Sequence, residues 1–553
     1  MIRYLTILLM ASLLGACSAP SEFVITLVGT NDVHGSLESS DEGGGLITIS
    51  GYVNALREAR MEDGGAVLLI DAGDMWQGTL ESNLSEGAAL VEAYNSLGYT
   101  AAALGNHEFD YGPVGPSPIP KLPTDDPQGA LKQRAMEADF PFLAANLIDQ
   151  STGEPVAWPN IQPSALIDVR GVKVGIVGVM TERALTSAVA ANTVGLAIAP
   201  LAATIEKEAR VLRNAGATVI IVSAHAGGFC TEFNDPSDTS SCDLSGEIFA
   251  VADNLPHGLV DHMFAGHTHS GTAHIVNGIS ISQGYSKATA FSRVDLTVNR
   301  SNGQRTMTRL FPPTLAIDVS AYEGQSFSTD PQITVIADQA AVRAKEMKNK
   351  KIGIHLETAF ALTRSPESPL GNLYTDGLLA SADADISIHT TNTSIRADLP
   401  VGDLTVGSVY EMSPFDNQLA LIQMTGAELR QVIAEQALRG TVRVNFSGMR
   451  VNVACTDARL AITMRLTGGH EILDADNVSI AVVNYLALGG DRVFTSVMPE
   501  GGYELQLDAP LARDAIIDWL RQRGGSISES DFSSDESPKW TLLDDLEAEC
   551  QLN

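Results

Sequence analysis

The segment Gly105-Asn106-His107-Glu108-Phe109-Asp110 places an amide, an imidazole and a carboxylate close together in the chain. The side-chain oxygen of Asn106 suits a hard metal ion. His107 can donate or accept a proton, and Asp110 can fix its tautomer and stabilise its charged form. Such a segment is weak evidence by itself, so it indicates metal-assisted chemistry only if similar residues follow other strands.

Chemically similar residues do follow four other runs of the chain. Residues 23–28, 66–70, 218–224 and 261–265 are largely apolar, which is typical of buried strands. Each run leads into a glycine-bearing loop with Asp or His, and open α/β sheets collect their sites at the carboxyl ends of strands. We therefore expect seven side chains to converge: Asp32, His34, Asp74, Asn106, His225, His267 and His269.

Each of these residues also has an ordinary structural interpretation. A single Asp after a strand usually caps a helix or forms a turn, and a single His such as His225 is more often structural than a ligand. Asp32 and His34 alternate with Val33, so an extended backbone would direct both to the same side. The complete set favours two metal ions that share a bridging carboxylate, because one ion does not need seven ligands. Nitrogen and oxygen ligands without thiolate suit Zn, Mn, Fe or Co.

The order of these motifs carries a resemblance to a known family. Asp-x-His, Gly-Asp, Gly-Asn-His-Glu, His and Gly-His-x-His occur in the order that is similar to the calcineurin-like metallophosphoesterases. Residues 30–35, 71–74 and 105–110 narrow the resemblance to the bacterial and animal 5′-nucleotidase family. The motif match extends over about residues 24–296.

The resemblance implies a role for each motif residue. One ion would be held by Asp32, His34, Asp74 and His269, and the other by Asp74, Asn106, His225 and His267, with Asp74 bridging the two. His107 would be the catalytic histidine and Asp110 its partner. The implied cofactor is a pair of divalent ions, Zn, Mn or similar.

The resemblance resumes between Glu367 and Asp491, in motifs that look like the nucleoside-binding domain of the same family. There, two aromatic rings clamp the base, and arginines and a carboxylate hold the rest of the nucleoside. The implied substrate-binding residues are Arg364, Arg396, Phe415, Tyr485 and Asp491. Aromatic rings stack on any base for about 1–3 kcal/mol, and arginines supply charge-assisted donors. Without the family, core packing after Pro414 would explain Phe415 equally well.

One loop departs from the family pattern. Where the family commonly has Asn-Gly-Gly-Gly-Ile-Arg, residues 391–396 read Thr-Asn-Thr-Ser-Ile-Arg. Arg396 is kept, whereas the amide is replaced by Thr391 or displaced to Asn392, and the lost glycines restrict the backbone. The departure puts base recognition in question, but not the phosphate chemistry.

The chain of 553 residues is too long for one hydrophobic core. The resemblance implies an α/β fold class, with an N-terminal four-layer αββα sandwich, a linker helix and a C-terminal α/β substrate-binding domain. We predict a signal peptide at residues 1–16, the metallophosphoesterase domain at 17–325, the linker helix at 326–352 and the C-terminal domain at 353–553.

The composition and the first residues bear on partners and location. The formal net charge of −32 argues against a nucleic-acid polymer or an anionic membrane surface as main partner. Residues 5–14 are apolar but short for a membrane span. Leu14-Gly15-Ala16-Cys17 resembles the lipobox of bacterial lipoproteins, and Ser18 at the next position favours the outer membrane of a Gram-negative bacterium. We expect an exported periplasmic or cell-surface lipoprotein that meets the membrane only through a lipid on Cys17; the alternative is an ordinary signal peptide.

Four further cysteines allow three pairings. Cys230 and Cys242 flank a short polar loop, whereas Cys455 and Cys550 lie far along the chain. Because an exported chain meets an oxidising compartment, we expect the local pair Cys230–Cys242 to be a disulfide. Free thiols are the alternative.

The implied activity is hydrolysis of nucleoside 5′-monophosphates for extracytoplasmic nucleotide salvage, with 2′,3′-cyclic nucleotides and nucleotide sugars as additional family-type substrates. Two rivals stay open at this point. One is a thiosulfohydrolase-like enzyme of the same superfamily, which would not need two base-stacking rings. The other is a nucleotide-binding lipoprotein with an inactive site.

Overall fold

The computed structural model describes most of the chain in eleven ranges: 21–39, 44–115, 117–363, 367–391, 394–438, 444–456, 459–494, 496–497, 502–506, 509–534 and 538–542. The predicted signal peptide, Cys17, Arg364 and Asn392 lie outside the described residues. Among the described residues, no helix combines the length and the apolar character needed to cross a bilayer.

Two β-sheets build the first half of the structure. The first contains, in spatial order, Arg305–Leu310, Ala290–Asn299, Glu22–Thr30, Ala66–Asp71, Ala101–Ala103, Phe142–Leu143 and Ile161–Gln162, with Thr314–Leu315 paired to Ala290–Asn299. The second contains Gly271–Val276, Ile279–Gly284, His262–Ala265, Val219–His225, Val172–Met180 and Ser164–Val169. Short strands form two further ribbons: Leu196–Ile198, Leu147–Asp149 and Glu154–Pro155 in one, and Ala321–Tyr322 and Gln325–Ser326 in the other.

The central strands of both sheets are parallel, so their carboxyl ends share one edge of each sheet. Glu22–Thr30 pairs in parallel with Ala66–Asp71, which pairs in parallel with Ala101–Ala103. In the second sheet, Val219–His225 pairs in parallel with His262–Ala265. Each of these five strands leads to at least one of the seven predicted ligands.

Helices cover the outer face of each sheet, and the inner faces pack against each other. The helices of this half are Leu46–Asp63, Leu80–Asn83, Ala88–Leu97, Gly129–Glu137, Leu201–Asn214 and Glu247–Asn254. Leu27 of the first sheet and Ile176 of the second belong to one buried cluster between the sheets. The sheets approach so closely at Gly29 that a Cβ atom there would lie 2.2 Å from the Phe264 ring. The predicted four-layer αββα sandwich is confirmed.

The helix Pro331–Lys348 connects the two halves. Asp330 caps its first turn by accepting a hydrogen bond from the backbone of Gln332 at 2.8 Å, and a proline at the first helical position suits this start. Buried residues of this helix pack into the core around the outer helices of the first sheet.

The second half is a separate α/β unit with its own core. Its sheets are Gly402–Thr405, Lys351–Leu356 and Gly525–Ile527; Val444–Ser447, Ile386–Thr390, Asn477–Val483, Leu419–Thr425 and Tyr503–Leu505; and Arg459–Leu466, Met449–Thr456 and Trp540–Leu542. Its helices are Pro369–Ala380, Val406–Met412, Gly426–Leu438, Asn484–Ala487 and Ala512–Arg523. The predicted α/β character of this half is therefore also confirmed.

A disulfide joins Cys230 and Cys242, as the sequence predicted. It closes the loop that follows the strand Val219–His225, at the start of which Gly228 accepts hydrogen bonds from Thr268 and Ser270. The cross-link therefore braces the loop after His225 next to the loop that carries His267 and His269.

Candidate metal centre

Five of the seven predicted ligands have a left-handed backbone conformation. Asp32 (φ 49°), His34 (φ 50°) and Asp74 (φ 59°) adopt positive φ, and so do His267 (φ 75°) and His269 (φ 54°). Non-glycine residues in this region cost about 1–3 kcal/mol each and cluster at functional sites. Asp32 and His34 do point into the same group of side chains, as expected, but through left-handed backbone conformations and not through the extended backbone that the sequence suggested.

Backbone hydrogen bonds join the first two loops. The N–H groups of Asp32, His34 and Gly35 donate to the carbonyls of Gly73, Asp74 and Met75 at 2.9, 3.0 and 3.0 Å. These contacts continue the pairing between the strands Glu22–Thr30 and Ala66–Asp71 beyond the sheet. These bonds therefore hold Asp32 and His34 of the first loop beside Asp74 of the second.

All seven predicted side chains meet in one cluster, which contains two triads. Asp32, His34 and His269 offer ligand atoms that lie within 4.8 Å of one another, and so do Asp74, His225 and His267. In the first triad, the His34 and His269 Nε2 atoms are 3.0 Å apart and Asp32 Oδ1 lies 3.3 Å from His269 Nε2.

Asn106 and Asp74 complete the cluster. The Asn106 side-chain oxygen lies 3.0 Å from both His225 Nε2 and His267 Nδ1. Asp74 Oδ2 lies 3.1 Å from His225 Nε2 and 4.0 Å from His34 Nε2. The Asp74 carboxylate, a member of the second triad, thus also faces His34 of the first triad, as a bridging ligand would.

Two histidines are oriented by backbone carbonyls so that their Nε2 atoms face other ligand-type atoms. His34 Nδ1 and His225 Nδ1 donate to the carbonyls of Gln77 and Ala72 at 2.7 and 2.8 Å. The Nε2 atom of His34 therefore faces the Nε2 atom of His269, and that of His225 faces the oxygens of Asn106 and Asp74. Such a buried set of nitrogen and oxygen atoms fits metal ions with nitrogen and oxygen ligands.

The electrostatics of the cluster agree with this donor set. Burial lowers the pKa of His34 to about 3 and of His267 to about 4, and neighbouring histidines add to the effect. Both rings are therefore neutral at physiological pH, as metal ligation requires. Burial opposes the ionisation of Asp32, but His269 outweighs it and lowers the pKa of Asp32 to about 2.

His107 faces the same cluster but carries a different partner. It begins a short 3-10 turn, His107–Phe109, and its Nδ1 atom donates to Asp110 Oδ2 at 2.6 Å. Burial lowers the pKa of His107, but the carboxylates of Asp110 and Asp74 outweigh burial and raise it to about 9. The imidazolium can therefore present its Nε2–H to an anion beside the cluster.

A cavity of about 510 Å³ joins the cluster to the second half of the protein. Its wall includes Asp74, Asn106, His107, Asp110, His267 and His269 from the first half, and Arg396, Phe415, Asn417, Tyr485, Gly489 and Asp491 from the second. The Phe415 ring stacks on His107 at 5.5 Å between centroids, and the Arg396 guanidinium lies 5.1 Å from the Phe415 ring. Tyr485 donates to Asp491 at 3.2 Å. Four of the five predicted substrate-binding residues therefore line this cavity: Arg396, Phe415, Tyr485 and Asp491.

Comparison with known proteins supports the same assignment. Residues 347–498 match the family described as 5′-nucleotidase, C-terminal domain. Over most of its length the chain is similar to bacterial 5′-nucleotidases. It is 24% identical over 537 residues to a 5′-nucleotidase of Vibrio cholerae, covering 90% of this chain and 91% of that one.

Two further relatives bear on length and fold. A cell wall protein of Listeria monocytogenes is 26% identical over 518 residues, which cover 86% of this chain but only 64% of that protein. The structure of a 5′-nucleotidase precursor from Thermus thermophilus superposes with a TM-score of 0.67 at 23% identity, covering 94% of this chain and all of that one. This likeness shows that the two proteins share a fold.

Some contacts that build the candidate metal centre were not predicted from the sequence. Glu108 is buried, and its carboxylate accepts backbone hydrogen bonds from Asp74, Met75 and Gly105 at 3.0, 2.8 and 2.6 Å. Asp71 accepts hydrogen bonds from Thr30 and Tyr94 at 2.6 and 2.8 Å. The sequence offered one sign that these acids matter: each lies in the same identified motif as a predicted ligand.

Two further residues bear on the lining of the cavity, Arg183 and Thr391. Arg183 is exposed and lines the cavity beside the metal cluster, although no motif marked it. Thr391 is buried, and its hydroxyl has no hydrogen-bond partner among the described residues. Thr391 does not line the cavity, whereas Ser394 does.

Glu108→Ala should weaken the metal centre without removing any ligand. The substitution leaves three buried backbone N–H groups unpaired, and each costs about 1–3 kcal/mol. We expect lower metal content by elemental analysis and a lower Tm of the metal-loaded protein, with a smaller effect in Glu108→Gln, which keeps one acceptor oxygen. The exposed Glu92→Ala is the control; an unchanged metal content and Tm in Glu108→Ala would contradict the assigned contact.

Proposed function

We propose that this protein hydrolyses the phosphate ester of nucleoside 5′-monophosphates at a centre of two divalent metal ions. The observation that carries the proposal is the shared cavity, whose wall combines the cluster of metal-type ligands with an aromatic ring, an arginine and a carboxylate from the second domain. A phosphate placed at the cluster and a nucleoside placed against Phe415 would occupy one continuous space. The names of its 5′-nucleotidase relatives support the same substrate class.

We assign the ligands as the family resemblance implies. Asp32, His34, Asp74 and His269 would hold one ion, and Asp74, Asn106, His225 and His267 the other. The approach of Asp74 to both His225 and His34 supports its bridging role. When bound, such ions, Zn, Mn or similar, would lower the pKa of an attacking water and neutralise the phosphoryl oxygens.

His107 would act on the substrate rather than on a metal. Asp110 holds its Nδ1 at 2.6 Å, so its protonated Nε2 is free to donate to a phosphoryl oxygen or to the leaving 5′-oxygen. Because the pKa of His107 is raised to about 9, the ring carries this proton at neutral pH.

The residues of the second domain would bind the nucleoside. Phe415 and Tyr485 would stack on the base, Arg396 would donate charged hydrogen bonds, and Asp491 would accept from ribose hydroxyls. Asp491 accepts from Tyr485 and Thr390, so its carboxylate is already oriented at the edge of the cavity. Arg364 belongs to the same proposed set but lies outside the described residues.

The domain division and the location are parts of the same proposal. We place the metallophosphoesterase domain at residues 17–325, the linker helix at 326–352 and the nucleoside-binding domain at 353–553. The family match at residues 347–498, which begins at the end of the helix Pro331–Lys348, supports that division. We place the protein outside the cytoplasm, as a Gram-negative outer-membrane lipoprotein that supplies nucleosides for salvage.

The decisive experiment is a phosphate-release panel with the purified protein. Nucleoside monophosphates, 2′,3′-cyclic nucleotides, nucleotide sugars and an aryl phosphate are each assayed with Zn, Mn, Co and Mg after removal of bound metal. We expect metal-dependent phosphate release, fastest from a 5′-monophosphate. Release from no nucleotide with any metal would refute the proposal.

Two rival functions predict other outcomes. A thiosulfohydrolase-like enzyme would cleave a sulfur substrate and would not need rings that stack on a base. Phe415 and Tyr485 line the same cavity as the metal-type ligands, which favours a nucleotide substrate over that rival. A binding protein with a dead centre would bind nucleotides without turnover. The complete set of seven ligands together with the His107–Asp110 pair favours an active enzyme over that rival.

His107→Ala should keep the metals and lose turnover. The ring is not among the grouped metal-ligating residues, so we expect wild-type metal content and a kcat lower by about 10²–10⁴. The surface variant His257→Ala is the control for histidine loss. Loss of metal from His107→Ala, or an unchanged kcat, would show that its assigned role is wrong.

Phe415→Leu and Tyr485→Leu should separate nucleotide from generic phosphate substrates. Each loses about 1–3 kcal/mol of stacking, so we expect KM for a nucleoside monophosphate to rise about 5- to 100-fold. The kcat/KM for an aryl phosphate should change less than threefold, because its ring is not bound by that clamp. The exposed Phe229→Leu is the control, and an equal loss for both substrates would contradict the assignment.

Cys17→Ser should release the protein from the membrane. A single lipidated cysteine is the proposed anchor, and no described helix can replace it. In cell fractionation we expect the wild type in the detergent-soluble membrane fraction and the variant in the soluble extracytoplasmic fraction. Wild-type protein that is already soluble, or a variant that stays in the membrane, would exclude the lipid anchor.

A further inference from the structure

Gln77 connects the metal centre to the second domain through two opposite ends of one residue. Its backbone carbonyl accepts the hydrogen bond from His34 Nδ1 at 2.7 Å. Its side-chain amide donates to the carbonyl of Pro414 at 2.7 Å across the boundary between the domains. The residue is 1% exposed, so almost none of its surface contacts bulk solvent.

The Pro414 carbonyl precedes the aromatic residue that stacks on His107. Phe415 follows directly, and its ring lies 5.5 Å from the His107 ring. On the other side of this loop, Arg513 donates to the carbonyls of Ser413 and Phe415 at 3.3 and 3.4 Å. The loop is thus fixed to its own domain by Arg513 and to the metal-binding domain by Gln77.

Among the described residues, the hydrogen-bond partner of the Gln77 side-chain amide is the carbonyl of Pro414. Its Oε1 atom is buried and has no hydrogen-bond partner among the described residues, so the donated bond to Pro414 determines the orientation of the amide. Proline offers no N–H that could satisfy Oε1 in the reversed orientation. A buried side-chain amide that is held by one hydrogen bond across a domain boundary indicates that this bond positions the loop on the other side of the boundary.

We propose that Gln77 is a positioning residue that sets the Phe415 loop against the metal centre and thereby fixes where the nucleoside lies relative to the reacting phosphate. This inference rests on the proposed function, because it concerns how the same site aligns a nucleotide. Gln77 acts through Pro414 and Phe415 and does not itself touch the nucleotide base. Its backbone contact with His34 is independent of the side chain, so side-chain variants keep that support.

The test compares Gln77→Met and Gln77→Glu with the wild type. Methionine keeps the length without a donor, and glutamate keeps the shape but presents a carboxylate to the Pro414 carbonyl. We expect KM for a nucleoside monophosphate to rise about tenfold, the factor that one buried hydrogen bond is worth. The kcat/KM for an aryl phosphate and the metal content should stay within twofold of wild type. Gln436→Met, a buried glutamine in the helix Gly426–Leu438, is the matched control.

A double-variant cycle gives the second readout. If Gln77 acts through the aromatic loop, Gln77→Met should change KM less than twofold once Phe415→Leu is present, because the two effects are then not additive. Additive effects, or equal losses for nucleotide and aryl phosphate, would overturn the inference. Absence of nucleotide hydrolysis by the wild type would instead refute the proposed function, so the two failures are distinguishable.

Discussion

The rest of the site depends on the contacts of the buried Asp74 carboxylate. One oxygen lies 3.1 Å from His225 Nε2, and the other accepts the backbone N–H of His107 at 2.9 Å. A carboxylate that is 2% exposed is expensive to bury, and His225 and His107 offset that cost by lowering its pKa well below the usual range. Its backbone N–H is held in turn by Glu108, so both the side chain and the backbone of Asp74 are fixed.

This arrangement places strain and buried charge at one edge of an otherwise ordinary sandwich. Five of the seven predicted ligands have positive φ, and the sheets beneath them contain continuous apolar strands that pack face to face. The apolar core supplies the stability that lets the loops hold unfavourable backbone angles. A disulfide next to the His225 loop adds a second constraint in the same region.

The second domain contributes position as well as contacts. Both domains line the cavity, and the Phe415 ring of one domain stacks on His107 of the other. Asn83 and Tyr410 also form a hydrogen bond across this boundary, and Lys348 at the end of the connecting helix bridges Glu81 and Glu411. The shape of the cavity therefore depends on the interface between the two domains.

Much of the fold could be predicted because strong local patterns decided it. Apolar runs ended where ligand-type residues began, and the strand predicted at residues 66–70 lies within the observed strand Ala66–Asp71. The local backbone could not be predicted in the same way: Asp32 and His34 were expected on an extended segment, but the hydrogen bonds to Gly73 and Asp74 impose a sharp turn. Long-range contacts of that kind leave no periodic signal in the sequence.

The sequence by itself determined the chemistry of the centre, because the identity of a ligand and its place after a strand are local properties. It named the seven ligand-type residues, the His107–Asp110 pair and the Cys230–Cys242 disulfide. Only the tertiary structure decided that Glu108 holds the Asp74 loop and that Gln77 reaches Pro414, since these contacts join residues from different loops or domains. The physical reason is that a hydrogen bond across 337 positions depends on how two domains meet, and no spacing within either motif encodes that meeting.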